Sequence, residues 1–512
     1  MRCVATRRLQ AAFPAAALLL LPLLAACTVG PDYHAEAAPT PTQYKELKGW
    51  KLATPGDTLD RGEWWTLYHD PKLAFLLKQV EVSNQNVAAQ AAAYEQARAL
   101  IREAQAALFP ILTANYNATR TRTGPGALGS NSAFGPIGLG NGGHGIYSTS
   151  FVPALNASWD LDVWGKVRRQ IESNTAAAQA SAADLANVKL SQQALLASAY
   201  FNLRTTDSLR GLLEETVGYY KESVRITQDK VNAGCCVPPL TSVSPADLAL
   251  AKALLENTQA QLINVGVQRA QFEHAIAVLI GRPPAELSIA RRPLPNTGIP
   301  KIPVAVPSTL LERRPDIAAA ERTMQEQNAL IGVAIAGYYP DISLSGLLEW
   351  TGTHPLPFKV ANEIWSLGAA GSQTIFNGGL TGAQVDAARA AYWQSVANYR
   401  QTVLAAFEGV EDELAAIRIL SQQLFAAQAA VRDAREAVRV YRNQYAAGTV
   451  DFTTVVTGLA NLLTDEEALL TVRQDLFLAS VILIEDLGGG WDTNLLPKQN
   501  ELVKGFSLLP QL

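Results

Sequence analysis

The sequence predicts a mainly α-helical chain that also carries membrane-type β-strands, built as two tandem repeats. Three observations predict it. First, landmarks return at fixed offsets. Gly165 and Gly234 reappear 214 residues later as Gly379 and Gly448, while Ile101, Phe109 and Pro110 reappear 230 residues later as Ile331, Tyr339 and Pro340. Second, each glycine pair bounds a 68-residue stretch without proline, 166–233 and 380–447, enough for a helix of about 100 Å. Third, between the proline and the first glycine of each copy the apolar period shortens from 3.6 to 2. Duplication of whole units is read before any single part. Each unit runs helix, strand, loop, strand, very long helix, turn, helix.

Residues 1–26 read as an export leader. Arg2, Arg7 and Arg8 precede an apolar stretch, Ala11 to Leu24, that is too short to span a bilayer. It ends in Leu24-Ala25-Ala26-Cys27, which looks like the bacterial lipobox, where cleavage precedes a cysteine that is then acylated. An ordinary signal peptide with a chance cysteine is the alternative. Acyl chains on Cys27 would bury methylenes at roughly 0.8 kcal/mol each. Thr28, with no aspartate beside Cys27, resembles lipoproteins sorted to the outer membrane.

Residues 27–82 follow as an N-terminal anchor and equatorial segment rich in Trp and Pro, expected to be an irregular collar. Repeat one covers 83–282. Its Ala/Gln/Arg-rich helix over Asn84–Leu108 is stopped by Pro110, and strands are expected at about 111–122 and 147–161. Tyr147, Phe151, Leu155 and Trp159 share one face of the second strand, and Ser148, Ser150, Asn156 and Ser158 the other. A helix over 166–233, which Gly211 and Gly218 could bend, leads to a turn and a helix over 243–281. There Leu248, Leu255, Leu262, Arg269 and Ile276 form one heptad row and Ala251, Thr258, Val265, Phe272 and Leu279 another, the mark of side-by-side helix packing.

An equatorial linker, 283–312, leads to repeat two, 313–487, with strands at about 341–351 and 364–376 and helices at 380–447 and 453–487. Leu462, Leu469, Leu476 and Leu483 repeat the heptad seam, and 488–512 form a C-terminal equatorial tail. Ten strand residues tilted by about 45° span roughly 25 Å, the apolar band of an outer-membrane barrel. Trp159, Trp350 and Trp365 suit an aromatic girdle. Two soluble hairpins are the alternative. The glycine-rich segment 124–145 contains a formal G-x-G-x-x-G at Gly138–Gly143, but a strand follows it and no helix, so it fails as a phosphate cradle.

Composition excludes several classes. With 48% hydrophobic and 17% charged residues the chain is too apolar for disorder. No uninterrupted 18-residue apolar run lies beyond the leader, which argues against a helical membrane protein. Net charge is −4, and −7 once the three leader arginines depart, with no basic tract for nucleic acid. Five scattered histidines and no Ser/His/Asp, H-x-x-x-H or G-x-S-x-G pattern give no enzyme and no metal site. Cys235 and Cys236, adjacent in an oxidising compartment, make no disulfide framework.

Four strands cannot close a barrel, and an open sheet edge in hydrocarbon leaves unpaired N–H and C=O groups costing several kcal/mol each. Other copies must close it. Two would give eight strands, and three would give twelve with room for a lumen.

The lipobox at Cys27, Leu311-Glu-Arg-Arg-Pro-Asp-Ile317, the Ala-Gly turns at Gly234 and Gly448, and the ending Gly488-Gly-Gly-Trp491 together resemble the outer-membrane efflux ducts of the TolC superfamily, in the lipoprotein, NodT-like and OprM-like branch. The resemblance spans about residues 20–495. It implies a homotrimer with a 12-stranded β-barrel, four strands per chain, continuous with a long periplasmic α-helical barrel. It also implies lipid anchoring in the cell outer membrane with a large periplasmic portion. The implied function is passive exit of small molecules from an inner-membrane pump, often proton-driven, through a periplasmic adaptor. No cofactor beyond the Cys27 lipid is implied.

Within that resemblance, Arg313, Arg314 and Pro315 open the helix of copy two as a structural motif, with Pro at a position where its missing N–H is harmless. The turns after Gly234 and Gly448 form the periplasmic tip, where such ducts narrow. Related ducts often carry aspartates just past the second turn; here Thr454 and Thr457 stand there, and Asp451 is the nearest carboxylate. Asp451 is either pore-facing, adding one charge per subunit to a cation-attracting ring, or a helix N-cap. Cys235 and Cys236 are further tip candidates. A protein-secretion duct of the same superfamily and a non-conducting structural lipoprotein are the competing functions.

Overall fold

The computed structural model describes residues 28–37, 40–46, 63–123, 146–232, 244–296, 298–302 and 310–503. Repeat one runs α1 (Pro71–Ser83), α2 (Gln85–Ala106), β1 (Ile111–Thr123), β2 (Ile146–Asp160), α3 (Lys166–Asn232) and α4 (Pro245–Leu279). Repeat two runs α5 (Leu310–Arg313), α6 (Pro315–Ala336), β3 (Asp341–Trp350), β4 (Glu363–Ser372), α7 (Leu380–Ala446) and α8 (Phe452–Asp486), before a last turn α9 (Gln499–Val503). Equivalent helices have equal lengths: 22 residues in α2 and α6, 67 in α3 and α7, 35 in α4 and α8.

Local chemistry sets the helix starts. Asp70 accepts from the N–H groups of Lys72 and Leu73 with Pro71 at the first position. Asn84 does the same for Asn86 and Val87, so Pro71–Ser83 is an ordered helix where an irregular collar was expected. Ser244 and Asp247 form a reciprocal capping box on α4. Helix α3 runs unbroken through Gly211 and Gly218, beside which no neighbouring atom lies within 4 Å.

Along α7 one row of side chains recurs every seven residues: Val396, Val403, Val410, Ile417, Leu424, Val431, Val438 and Tyr445, all buried except the partly buried Leu424. It packs on α8 as α3 packs on α4. One 18-residue window of α7 is apolar enough to cross a membrane, with mean hydropathy 1.2 and only 17% of it buried. A helix of about 100 Å is several bilayers long, and the buried heptad row supplies only part of its apolar content, since Leu404, Ile419 and Phe425 lie exposed.

The sheet is antiparallel throughout, in the order β1-β2-β3-β4, with β1 and β4 at its edges. Ile111 stands opposite Ser158, Ser158 opposite Ser345, and Asp341 opposite Ser372. Register puts Leu112, Tyr116, Phe151, Leu155, Leu344, Leu348, Trp365 and Leu367 on one face. Thr113, Asn115, Asn117, Ser150, Asn156, Ser343, Ser345 and Ser366 lie on the other. β4 stops at Ser372, four residues short of the expected end, because as an edge strand it has a partner on one side only.

Two larger apolar cores hold the helices among the described residues. The large one joins Trp64, Trp65, Leu73, Leu76 and Leu77 to Tyr200, Phe201, Phe477 and Leu483, with Phe201 and Phe477 stacked at 4.8 Å. The smaller one, Tyr220, Val438, Tyr445, Phe452, Val455 and Leu459, sits at the far end of the long helices.

Candidate functional site

Three places carry the residues that the sequence singles out. At the far end of the long helices, Gly448 adopts φ +77°, and Thr449 N–H donates to Gln444 O at 2.9 Å, closing α7 in the left-handed way glycine favours. Asp451 then caps α8, accepting from Thr454 N–H at 3.0 Å and Thr454 Oγ1–H at 2.6 Å. These bonds, the hydroxyl's foremost, hold its exposed carboxyl below the usual range. Of the two readings of Asp451, the cap is what the single subunit displays, and the charge stays open to solvent. Thr457 is exposed and its hydroxyl bonds back to Thr453 O at 2.9 Å.

The two tip strands of helix meet there. Lys230 Nζ donates to Tyr445 O at 2.6 Å and lies 3.8 Å from its ring centroid, while Thr227 Oγ1 and Tyr445 Oη are 3.1 Å apart. A Cβ on Gly458 would press the Tyr441 ring at 2.8 Å, so α7 and α8 approach closely where they leave the turn. Gly234, Cys235 and Cys236 lie outside the described residues, as do Cys27 and the glycine-rich segment 124–145.

Partway along the long helices, beside Leu190 of α3 and Gly409 of α7, Arg314 stands just before α6, with Pro315 at its first position. Its guanidinium joins Asp316 at 2.8 Å and Asp486 at 2.9 Å. The residues after Asp486 wind through three positive φ values, Gly488 (+88°), Gly489 (+58°) and Gly490 (+87°). A Cβ on Gly488 would collide with Arg313 O, and one on Gly489 with the Leu190 side chain. Trp491 reaches Ala183, Ala318 and Ala319. The arginine motif and the glycine ending are therefore one junction, with Arg314 and Asp486 172 residues apart in the chain. Burial pushes Glu485 and Glu413 beside it up to about 7, with the charge of Asp486 adding to Glu413.

The third place lies where the strands meet the helices. Val29 N–H donates to Trp164 O at 3.1 Å, and Arg169 donates to Val29 O at 3.2 Å and to Asp32 at 2.9 Å. Gly30 crosses Gly332 so closely that neither has room for a side chain. Thr28 packs on Gly165 at the foot of β2. Indole N–H groups tie the sheet to the helices, Trp159 to Leu108 O at 3.0 Å and Trp164 to Pro340 O at 2.8 Å. Sequence reasoning missed this docking of residues 28–32. Its one legible signal was the pair of glycines, Gly30 and Gly332, without which the two backbones could not cross. Among the described residues no group of three or more His, Cys, Asp or Glu could hold a metal.

Comparison with known proteins fits this geometry. A family model described as "Outer membrane efflux protein" matches residues 76–282 and 306–489. The antibiotic efflux pump outer membrane protein ArpC of Pseudomonas putida is 28% identical over 477 residues, 92% of this chain and 94% of that protein. The cation efflux system protein CusC of Escherichia coli is 27% identical over 472 residues, covering 91% and 96%. Among solved structures, the outer-membrane channel OprN superposes with a TM-score of 0.79 at 28% identity, over 91% of this chain and 100% of that one.

Proposed function

This chain belongs to the outer membrane efflux protein family, and we propose that it is the outer-membrane duct of a tripartite efflux system. Small molecules or ions handed on by an inner-membrane pump, through a periplasmic adaptor, leave the cell through it passively. The protein resides in the outer membrane with a large periplasmic portion. The observation that carries the reading is a four-stranded antiparallel sheet with two free edges and one apolar face, mounted on 67-residue helices.

Free edges cannot stand in hydrocarbon. Three copies would supply twelve strands, a barrel wide enough for water inside, with the Ser, Thr and Asn face lining the lumen and the Leu, Phe and Trp face meeting lipid. The long helices would curl into a matching tube. Acylation of Cys27 is supported by the docking of the next residue in the chain, Thr28, at the foot of β2. At the tip, Asp451 supplies one exposed carboxylate per subunit at the narrow end, with Thr454 and Thr457 beside it. The Arg313-Arg314-Pro315 junction is structural.

The test is reconstitution of the full, acylated chain in planar bilayers together with its mass in detergent. A threefold assembly that conducts is expected; a lone subunit, or a trimer that never conducts even when Asp451 and the tip are altered, would overturn the reading. Deleting the gene should raise susceptibility to small toxic compounds. Loss of a secreted polypeptide with unchanged susceptibility would favour a secretion duct instead.

A further inference from the structure

The internal repeat carries a prediction about contacts that the single chain cannot make. The offsets read from prolines and glycines, 230 and 214, map one hairpin onto the other without slippage. Ile111 opposite Ser158 becomes Asp341 opposite Ser372, and Thr119 opposite Ser150 becomes Glu349 opposite Ile364. The helical junction is duplicated too, with offsets of 230 from Ser83 to Arg313 and 207 from Gly281 to Gly488. A Cβ on Gly281 would collide with Ser83 O, as one on Gly488 would with Arg313 O. Strand β3 is therefore the counterpart of β1, and β4 the counterpart of β2. The pair β2–β3 is then the template for the one pairing that is missing, β4 of one copy with β1 of another.

We propose that adjacent copies join β4 to β1 in this inherited register, so that Trp365 stands opposite Arg122 of the partner subunit and clasps its guanidinium. The inference rests on the proposed closure of a barrel by copies of this chain. In the template, Ala154 to Asp160 pair with Glu349 to Ser343, and Phe151 bridges Gly352 through N–H···O bonds of 2.8 and 3.2 Å. Carried through the offsets, Ala370 meets Asn117 of the partner subunit, Leu367 meets Arg120 of the partner subunit, and the Phe151–Gly352 bridge becomes the Trp365 pairing. Parity supports the transfer. The apolar face of β4 carries odd numbers and that of β1 even ones, and this register sets them on the same side.

Chemistry at the pairing is complementary. Arg120 and Arg122 have their guanidinium carbons 5.3 and 5.6 Å from the Tyr147 ring centroid, and they form no ion pair among the described residues. Residues 124–145 contain no Asp or Glu to neutralise them. Trp365 is 67% exposed on the free edge, and Glu363, two residues along the same face, has no ion pair among the described residues. In the joined barrel the guanidinium of Arg122 of the partner subunit lies between two aromatic rings, with Glu363 two positions away. The same register extends β4 beyond Ser372, bringing Ile375, 89% exposed in the single chain, opposite Leu112 of the partner subunit. It also crosses a gap. Pro153 lacks the N–H its place in the β2–β3 ladder calls for, whereas its counterpart Leu367 has one to donate.

The experiment is disulfide trapping in the full, acylated chain with Cys235→Ser and Cys236→Ser. Ala370→Cys with Asn117→Cys, a closely spaced non-hydrogen-bonded pair in the proposed register, should give covalent dimers and trimers on oxidation. Ala370→Cys with Asn115→Cys or with Thr119→Cys, two residues out of register, should stay monomeric under the same denaturing gel. Trapping of an out-of-register pair instead, or of none in a protein whose detergent mass is threefold, overturns the register while leaving the barrel standing. A lone subunit in detergent overturns the barrel itself. For the clasp, Arg122→Ala and Trp365→Ala should each lower the temperature at which the oligomer falls apart in SDS by several degrees. The double variant should lower it no further than the worse single. Fully additive losses overturn the contact.

Discussion

Arg314 donates from Nη1 to both the carboxylate and the main-chain carbonyl of Asp486, each at 2.9 Å. In the first repeat the corresponding residues are Asn84 and Leu279, and there Asn84 Nδ2 donates to Leu279 O at 2.7 Å. The same backbone junction is thus held by a neutral amide in one copy and by a guanidinium between two aspartates in the other. Duplication kept the geometry and changed the electrostatics.

Replacing Arg314 by alanine leaves Asp486 and Asp316 facing each other in a half-buried place. A loss of about 3–5 kcal/mol is expected, against about 1 kcal/mol for Asn84→Ala, which removes a cap and a neutral bond. Thermal unfolding of the purified protein in detergent measures both. Equal losses would mean the charges contribute nothing beyond the hydrogen bond.

Glycine positions divide into two kinds. Gly281 and Gly488 have φ of +67° and +88° and no room for a Cβ, so Gly→Ala at either should destabilise by roughly 2 kcal/mol or more. Gly211→Ala and Gly218→Ala, in the open middle of α3, should stabilise by about 0.5–1 kcal/mol each. Unfolding midpoints of the four variants check the sign of each.

Stability should respond to pH through Glu485 and Glu413. Burial raises both from an ordinary 4.5 to about 7 in the folded chain. A carboxyl raised in this way contributes stability that is full below its unfolded value and is lost as pH climbs through about 7. Glu→Gln at either place should therefore match the parent near pH 4 and exceed it at pH 8 by about 1–2 kcal/mol, allowing for partial screening. A difference independent of pH would argue that these carboxyls titrate normally.

Asp451 should show two separable roles. Asp451→Asn keeps an acceptor for Thr454 and should leave unfolding nearly unchanged, whereas Asp451→Ala should cost about 1 kcal/mol. Both remove the exposed charge, so both should reduce cation preference in single-channel reversal potentials if the tip faces the pore. Unaltered selectivity in both variants would confine Asp451 to capping.

Much of the architecture was legible because it is periodic. Landmark offsets of 214 and 230, heptad rows and strands of period 2 are properties of one-dimensional spacing, and elements whose faces must bury alternate residues display them openly. The helix starts expected at Asn84 and at residue 243 lie within two residues of those observed, Gln85 and Pro245, where the side chains of Asn84 and Ser244 act as caps. The end of β4 was not legible. Gln373 to Phe376 continue a strand pattern, yet a strand persists only where a neighbour pairs with it, and no neighbour follows Ser372 in the single chain.

The sequence by itself therefore determined the repeat, the length of the helices, the four strands and the apolar character of one sheet face, because each follows from local spacing and composition. Only the tertiary structure decided that Arg314 meets Asp486, that Gly488 presses on Arg313, and that residues 28–32 thread between Trp164 and Gly332. Those contacts join residues far apart in the chain, and nothing in linear order states which distant surfaces will lie close once the helices pack.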